Sequence, residues 1–176
     1  DSTVIDGNRI SSVVRVDQNA QNIVVRGLSF TNSKGNGINF GPGSVAYLTN
    51  CNSMNNMANN GGGVAIAGAT VTLSGVKMFS NYAKTFGGGL FASAGTGYVN
   101  TIIFDPINRC SIYNNRSGSG QDIYIQNAVS DLNVYLDTFS VAVPTTYYAI
   151  YLSQGLNNYQ MQIDIQNAHH QEIDSD

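Results

Sequence analysis

Charge is what this sequence has least of. Only 11% of its 176 residues are Asp, Glu, Lys or Arg, against roughly a quarter in ordinary soluble domains, so its surface is polar but nearly uncharged. Eight Lys and Arg face seven Asp between Asp1 and Tyr159, and the net charge of −3 comes from Asp164, Glu172, Asp174 and Asp176. No basic stripe exists, which excludes a nucleic-acid partner. Two cysteines, Cys51 and Cys110, are too few for a disulfide scaffold. No apolar run approaches the roughly 20 residues of a membrane-spanning helix, so membrane insertion is not expected. The opening Asp1-Ser2-Thr3-Val4-Ile5 lacks the charged and apolar regions of a signal peptide, and the chain reads as a processed protein or a piece of a longer one. No cofactor is expected.

What the chain has instead is 19 Gly, 22 Asn and 42% hydrophobic residues, enough apolar side chain to fill one core. The glycines mark a repeat. Gly37-Ile38, Gly61-Gly62-Gly63-Val64 and Gly87-Gly88-Gly89-Leu90 set Ile38, Val64 and Leu90 at intervals of 26. A degraded copy, Gly118-Ser119-Gly120, leads to Ile123, 33 residues after Leu90, and the extra seven are expected beside Pro106. A second series pairs Val45 with Val71, Tyr47 with Leu73, and Leu73 with Leu132.

Between these marks the apolar residues alternate with period two, as in Leu28-Ser29-Phe30 and Ile123-Tyr124-Ile125, and no stretch has a helical period. β-branched residues interrupted by Asn and Gly exclude a helical solenoid. The expectation is therefore an all-β, right-handed parallel β-helix of about six coils, one domain over residues 1–167 with a polar tail or linker at 168–176. Asn after a large apolar residue, as in Phe30-Thr31-Asn32, Met54-Asn55-Asn56, Phe79-Ser80-Asn81 and Tyr113-Asn114-Asn115, marks the coil corners. Cys51 and Cys110 are 59 apart, one interval of each length, and should stand as buried free thiols two coils apart, beyond disulfide reach.

The segments Thr3-Val4-Ile5-Asp6-Gly7-Asn8 and Ile23-Val24-Val25-Arg26-Gly27-Leu28-Ser29-Phe30-Thr31-Asn32, with the recurring Gly-Gly-Gly-apolar and Phe-Ser-Asn steps, resemble pectate-lyase-like β-helices. Within that superfamily the chain is most similar to polymorphic outer-membrane protein repeats over residues 3–125. Gly88-Gly89-Leu90 fits the first half of that repeat, while Met78-x-x-Asn81 and Ile112-x-x-Asn115 approximate the second. The resemblance implies an extracellular or cell-surface protein, often an adhesin or stalk.

Polysaccharide lyases and hydrolases of the same superfamily supply the rival class, and they need grouped carboxylates. From Gln18 to Phe104 there is no Asp or Glu, so the central coils cannot supply them. Asp105, Arg109, Asp122, Asp131 and Asp137 remain. Arg109 and Asp137, 28 apart, are placed to meet between stacked coils, with Asp122 or Arg116 near; if the protein is an enzyme, Arg109, Asp122 and Asp137 carry it. The alternative is that they form ion pairs and turn caps. His169 and His170 beside Glu172 are the chain's combination with metal-ligand character, although adjacent histidines in a polar terminal stretch are more often a solvated linker, and no metal is expected.

Eight of ten tyrosines lie at or after Tyr98. Tyr124, Tyr135, Tyr147 and Tyr151 are the candidates for sugar stacking or a protein interface, the alternative being a ladder that stabilises the stack itself. No amphipathic capping helix covers either end, and exposed strand edges invite another coil. The leading expectation is thus a non-catalytic extracellular structural or adhesive module. It self-associates through its ends or continues in a longer chain. The rival is a glycan-binding or glycan-cleaving β-helix with its site in the C-terminal coils.

Overall fold

The computed structural model describes residues 3–128, 132–140, 149–154 and 160–168. Their regular secondary structure is entirely strand. Each regular coil passes through three or four short strands. One coil runs through Asn52–Met54, Met57–Asn60, Val64–Ile66 and Thr70–Ser74, then reaches Lys77–Phe79 one layer further along. Corresponding strands pair in parallel, building sheets of seven, two, six and four strands in that order around the coil. The six-stranded sheet takes one strand from each of about six turns, so the chain is a parallel β-solenoid.

The corners explain the Asn and Gly content. Between the four- and seven-stranded sheets, Gly27, Asn50 and Gly75 turn the chain at φ of 67°, 50° and 64°. After the seven-stranded sheet the turn falls on Asn32, Asn55, Ser80 and Asn114, at φ between 54° and 57°. This left-handed backbone suits glycine, and asparagine tolerates it better than other side-chain-bearing residues.

Inward side chains form the core. Phe30, Ile38, Phe40, Leu48, Ile66, Leu73, Met78, Leu90 and Ile123 are fully buried; each large apolar side chain contributes on the order of 2 kcal/mol. Cys51 and Cys110 sit in one column with Val76 between them, because Asn52, Lys77 and Ser111 pair in succession. Both thiols are buried and unpaired, as expected, and burial pushes the Cys110 thiol up to about 12.

Two register expectations are corrected. Thr72 and not Leu73 lies beside Tyr47; Leu73 lies beside Leu48, and Val71 beside Ala46 rather than Val45. A one-residue shift exchanges the faces of a strand. Ala46 and Leu48 therefore point inward and Tyr47 outward. Leu132 does not continue the Leu73 column either. That place is taken by Phe104, and Leu132 begins a strand of the seven-stranded sheet, Leu132–Ser140.

The insertion in the longer coil is divided between two corners. Ile66 and Thr70 are four residues apart, whereas their partners Ala92 and Thr101 are nine apart. Leu73 and Lys77 are also four apart, and their partners Phe104 and Ser111 are seven apart across Pro106. Only the smaller part of the insertion thus lies beside Pro106. The larger part, residues 93–100, lays Tyr98 along the corner glycines: a Cβ on Gly68 would come 2.5 Å from the Tyr98 Cβ, and one on Gly43 would come 3.3 Å from its ring. At the far end of the ring, Gln18 Nε2 donates to the Tyr98 hydroxyl at 2.6 Å.

Candidate functional site

Asp122 belongs to a buried ladder. The backbone N–H and the side-chain amide of Asn56 both donate to Asn81 Oδ1 at 3.1 Å, and those of Asn81 donate to Asn115 Oδ1 at 3.0 Å. The same three amides also donate to the carbonyls of Phe30, Ser53 and Met78. A glycine column packs against them: a Cβ on Gly63 would stand 2.9 Å from Asn81 Nδ2, and one on Gly89 would stand 2.8 Å from Asn115 Nδ2. Leu90 pairs with Ile123, so the residue following Gly89 in that column is Asp122.

Asp122 ends the ladder. The backbone N–H and side-chain amide of Asn115 donate to its Oδ1 at 3.2 and 2.7 Å. Its Oδ2 is buried and has no hydrogen-bond partner among the described residues. Asp122 is 0% exposed. Burial raises its carboxyl to about 7, against the opposing effect of the two Asn115 bonds. It cannot face a polymeric substrate.

Arg109 and Asp137 are not neighbours in adjoining strands; Arg109 instead makes an ion pair with Asp164. Cys110 pairs with Leu136, so the place beside Arg109 falls to Tyr135, and Tyr135 in turn pairs with Asp164. Arg109 donates to the Asp164 carboxylate at 3.0 Å and to its backbone carbonyl at 3.2 Å. It also donates to the Pro106 carbonyl at 3.2 Å and lies 5.6 Å from the centre of the Tyr135 ring. The arginine side chain is only 13% exposed. Its hydrogen bond holds the Asp164 carboxyl below the usual range. Asp137 acts on Arg109 through space and accepts from the Thr138 hydroxyl at 3.1 Å. Asp122 enters the six-stranded sheet while Asp137 lies in the seven-stranded one. Arg109 belongs to a clasp with Asp164 and Asp122 to a ladder end, so the three residues do not share a cleft.

The tyrosines divide in the same way. Tyr124, 6% exposed, is stacked against Phe86 at 4.3 Å, Tyr151 at 4.7 Å and Phe91 at 5.8 Å. Tyr124 and Tyr151 therefore support the stack, and Tyr135 sits against Arg109. Tyr147, Asp131, His169, His170 and Glu172 lie outside the described residues. Among the described residues no three His, Cys, Asp or Glu side chains gather to hold a metal.

A groove lies elsewhere, in the coils that precede Phe104. The two-stranded sheet, Met57–Asn60 and Tyr82–Phe86, stands against the six-stranded sheet and leaves a groove of about 730 Å³. Lys34, Lys84, Asn39, Met57, Tyr82 and Phe91 are on its walls, and no carboxylate is. Met57 and Tyr82 pair across adjoining coils and are 48% and 45% exposed. Sequence reasoning looked for acids and tyrosines and so missed this groove. The available signal was the reverse, lysines within an acid-free stretch. No protein-family model, curated protein or solved structure matches this chain.

Proposed function

We propose that the protein is a non-catalytic extracellular rod that adheres through its side, a right-handed β-helix of the adhesin-type branch of the pectate-lyase-like superfamily. The observation that carries this reading is the separation of carboxylates from the groove. Acid–base or metal-assisted cleavage of a glycan needs convergent carboxylates beside the substrate. Here Asp122 is buried, Arg109 is held by Asp164, and the groove contains no acid. The extracellular setting rests on the resemblance to surface-attached β-helices. Incubation with a polysaccharide panel should release no sugars, while electron microscopy should show rods; turnover of any polysaccharide would overturn the reading.

A second reading concerns assembly, and one observation favours it. Ile5, Val14, Ile23 and Val25 are only partly buried, whereas Phe30, Ile38, Ala46 and Leu48, their neighbours in the next coil, are buried. A coil supplied by a second copy of the chain would complete their burial and pair the open strand edges. Light scattering should then show mass rising with concentration. A mass that stays that of one chain over the whole range would remove this reading.

A further inference from the structure

We infer that the outer face of the four-stranded sheet is a dimer interface, on which a second copy of the chain lies face to face with its rod axis reversed. The face is built on Ile23–Arg26, Val45–Thr49, Thr70–Ser74 and Thr101–Phe104. Strand register sets Val24, Tyr47, Thr72 and Ile103 in one outward row along the rod. Three of these carry large apolar side chains into solvent: Val24 is 60% exposed, Tyr47 44% and Ile103 47%. Single apolar residues are ordinary on a surface, whereas an aligned group marks a face that meets a partner.

Charge identifies the partner. The next outward row runs Arg26, Thr49, Ser74 and Asp105. It holds a cation at the first strand and an acid beyond the fourth, about 14 Å apart at three strand spacings, too far to pair within one chain. Arg26 is exposed and has no ion-pair partner among the described residues. Asp105 accepts from the Ser74 hydroxyl at 2.8 Å and from the N–H groups of Ile107 and Asn108 at 2.9 and 3.1 Å. These bonds hold its carboxyl below the usual range, so it stays charged. A twofold axis along the strands, between Val45–Thr49 and Thr70–Ser74, exchanges the first strand with the fourth and the second with the third. Arg26 of each copy then faces Asp105 of the other, Val24 faces Ile103, and Tyr47 faces Thr72. Every contact occurs twice, as an isologous interface requires. Rods running in the same direction would set the Arg26 end of a strand against the Ile23 end and Asp105 against Thr101, leaving both charges without a partner. Exposed ion pairs add little affinity, but they fix orientation. The face measures roughly 300 Å², at about 4.8 Å per strand and 3.3 Å per residue, less than the roughly 800 Å² per partner of a tight complex. The dimer is therefore weak. It differs from end-to-end stacking in using side chains rather than strand edges and in stopping at two copies.

Sedimentation equilibrium from micromolar to submillimolar protein tests this. The parent should approach twice the mass of one chain, less readily as salt is raised. Tyr47→Asp, which places a charge within the contact, should weaken the dimer roughly tenfold or more. Arg26→Glu sets like charges together twice and should weaken it by roughly tenfold. Tyr82→Asp, on the two-stranded sheet, should associate as the parent does. Val24→Cys with Ile103→Cys should give covalent dimers with a short bis-maleimide, because the two positions are about 14 Å apart within a chain and the native thiols are buried. Circular dichroism confirms that each variant is folded. The inference is overturned if the mass stays that of one chain, if Tyr47→Asp associates as the parent does, or if the cysteine pair yields no covalent dimer. Association that survives Tyr47→Asp would belong to end stacking and leave that reading standing. A mass that stops at two copies and falls to one in Tyr47→Asp would support the face and remove end stacking.

Discussion

Gly89 and Asp122 occupy successive places in one column, yet one has no side chain and the other is a buried acid. The difference lies in the row of amides beside them. Gly89 faces Asn115, whose amide fills the space a Cβ would need. At Asp122 the column carries a side chain, and its Oδ1 accepts the two bonds that an asparagine oxygen accepts in the preceding coils. The regular coils before Phe104 use glycine to admit a buried amide. The later coil uses a carboxylate to end the row.

The strongest way to break the regular region is Asn81→Ala. It would strand the Asn56 N–H and the Ser53 carbonyl and remove one of the two bonds that Asn115 Oδ1 accepts, all buried. Urea unfolding should show a loss of about 4 kcal/mol. Next, Gly89→Val places a side chain against the Asp122 carbonyl, 2.7 Å from the added Cβ. A loss of about 3 kcal/mol is expected, and a wild-type denaturation midpoint would show that the column tolerates side chains before its end.

Asp122→Asn sharpens the comparison through pH. The Asp122 carboxyl ionises at 3.8 by its ordinary value and at about 7 in the folded protein, so folding retains a proton that the unfolded chain has lost. Its contribution is intact below about pH 4, declines as pH rises, and levels off above about pH 7. Asp105 and Asp164 are shifted downward and act in the opposite direction, losing their contribution as acid protonates them. The informative quantity is therefore the difference between variant and parent. Asp122→Asn should gain on the order of 2 kcal/mol at pH 8 and little at pH 4; a difference that does not change with pH would refute the buried-acid account. The smallest effect is expected for Tyr98→Phe, which keeps the packing over Gly43 and Gly68 but loses the Gln18 bond, at about 0.5 kcal/mol in thermal unfolding.

How much of this was legible varies with the kind of contact. The interval from Ile38 to Val64 to Leu90 to Ile123 was readable because each coil must return its inward residue to the same column, and the pairing follows it. The Val45–Val71 match failed because two apolar residues one place apart look alike in sequence while facing opposite ways in a strand. Arg109 and Asp137 failed because Cys110 pairs with Leu136, which puts Tyr135 beside Arg109, so a spacing only slightly longer than the local repeat misses the partner. Asp122 was noticed as an acid, but its role depended on the neighbouring amides.

Composition and spacing alone determined a parallel β-solenoid with Asn and Gly at its corners and no acid in its middle coils, because stacking imposes a period and left-handed turns restrict residue choice. Only the tertiary structure decided which side chains share a column, that Asp122 ends a buried ladder, and that two lysines line a groove without acids. Those facts arise from contacts between residues one or more coils apart, and small differences in corner length determine which residues meet.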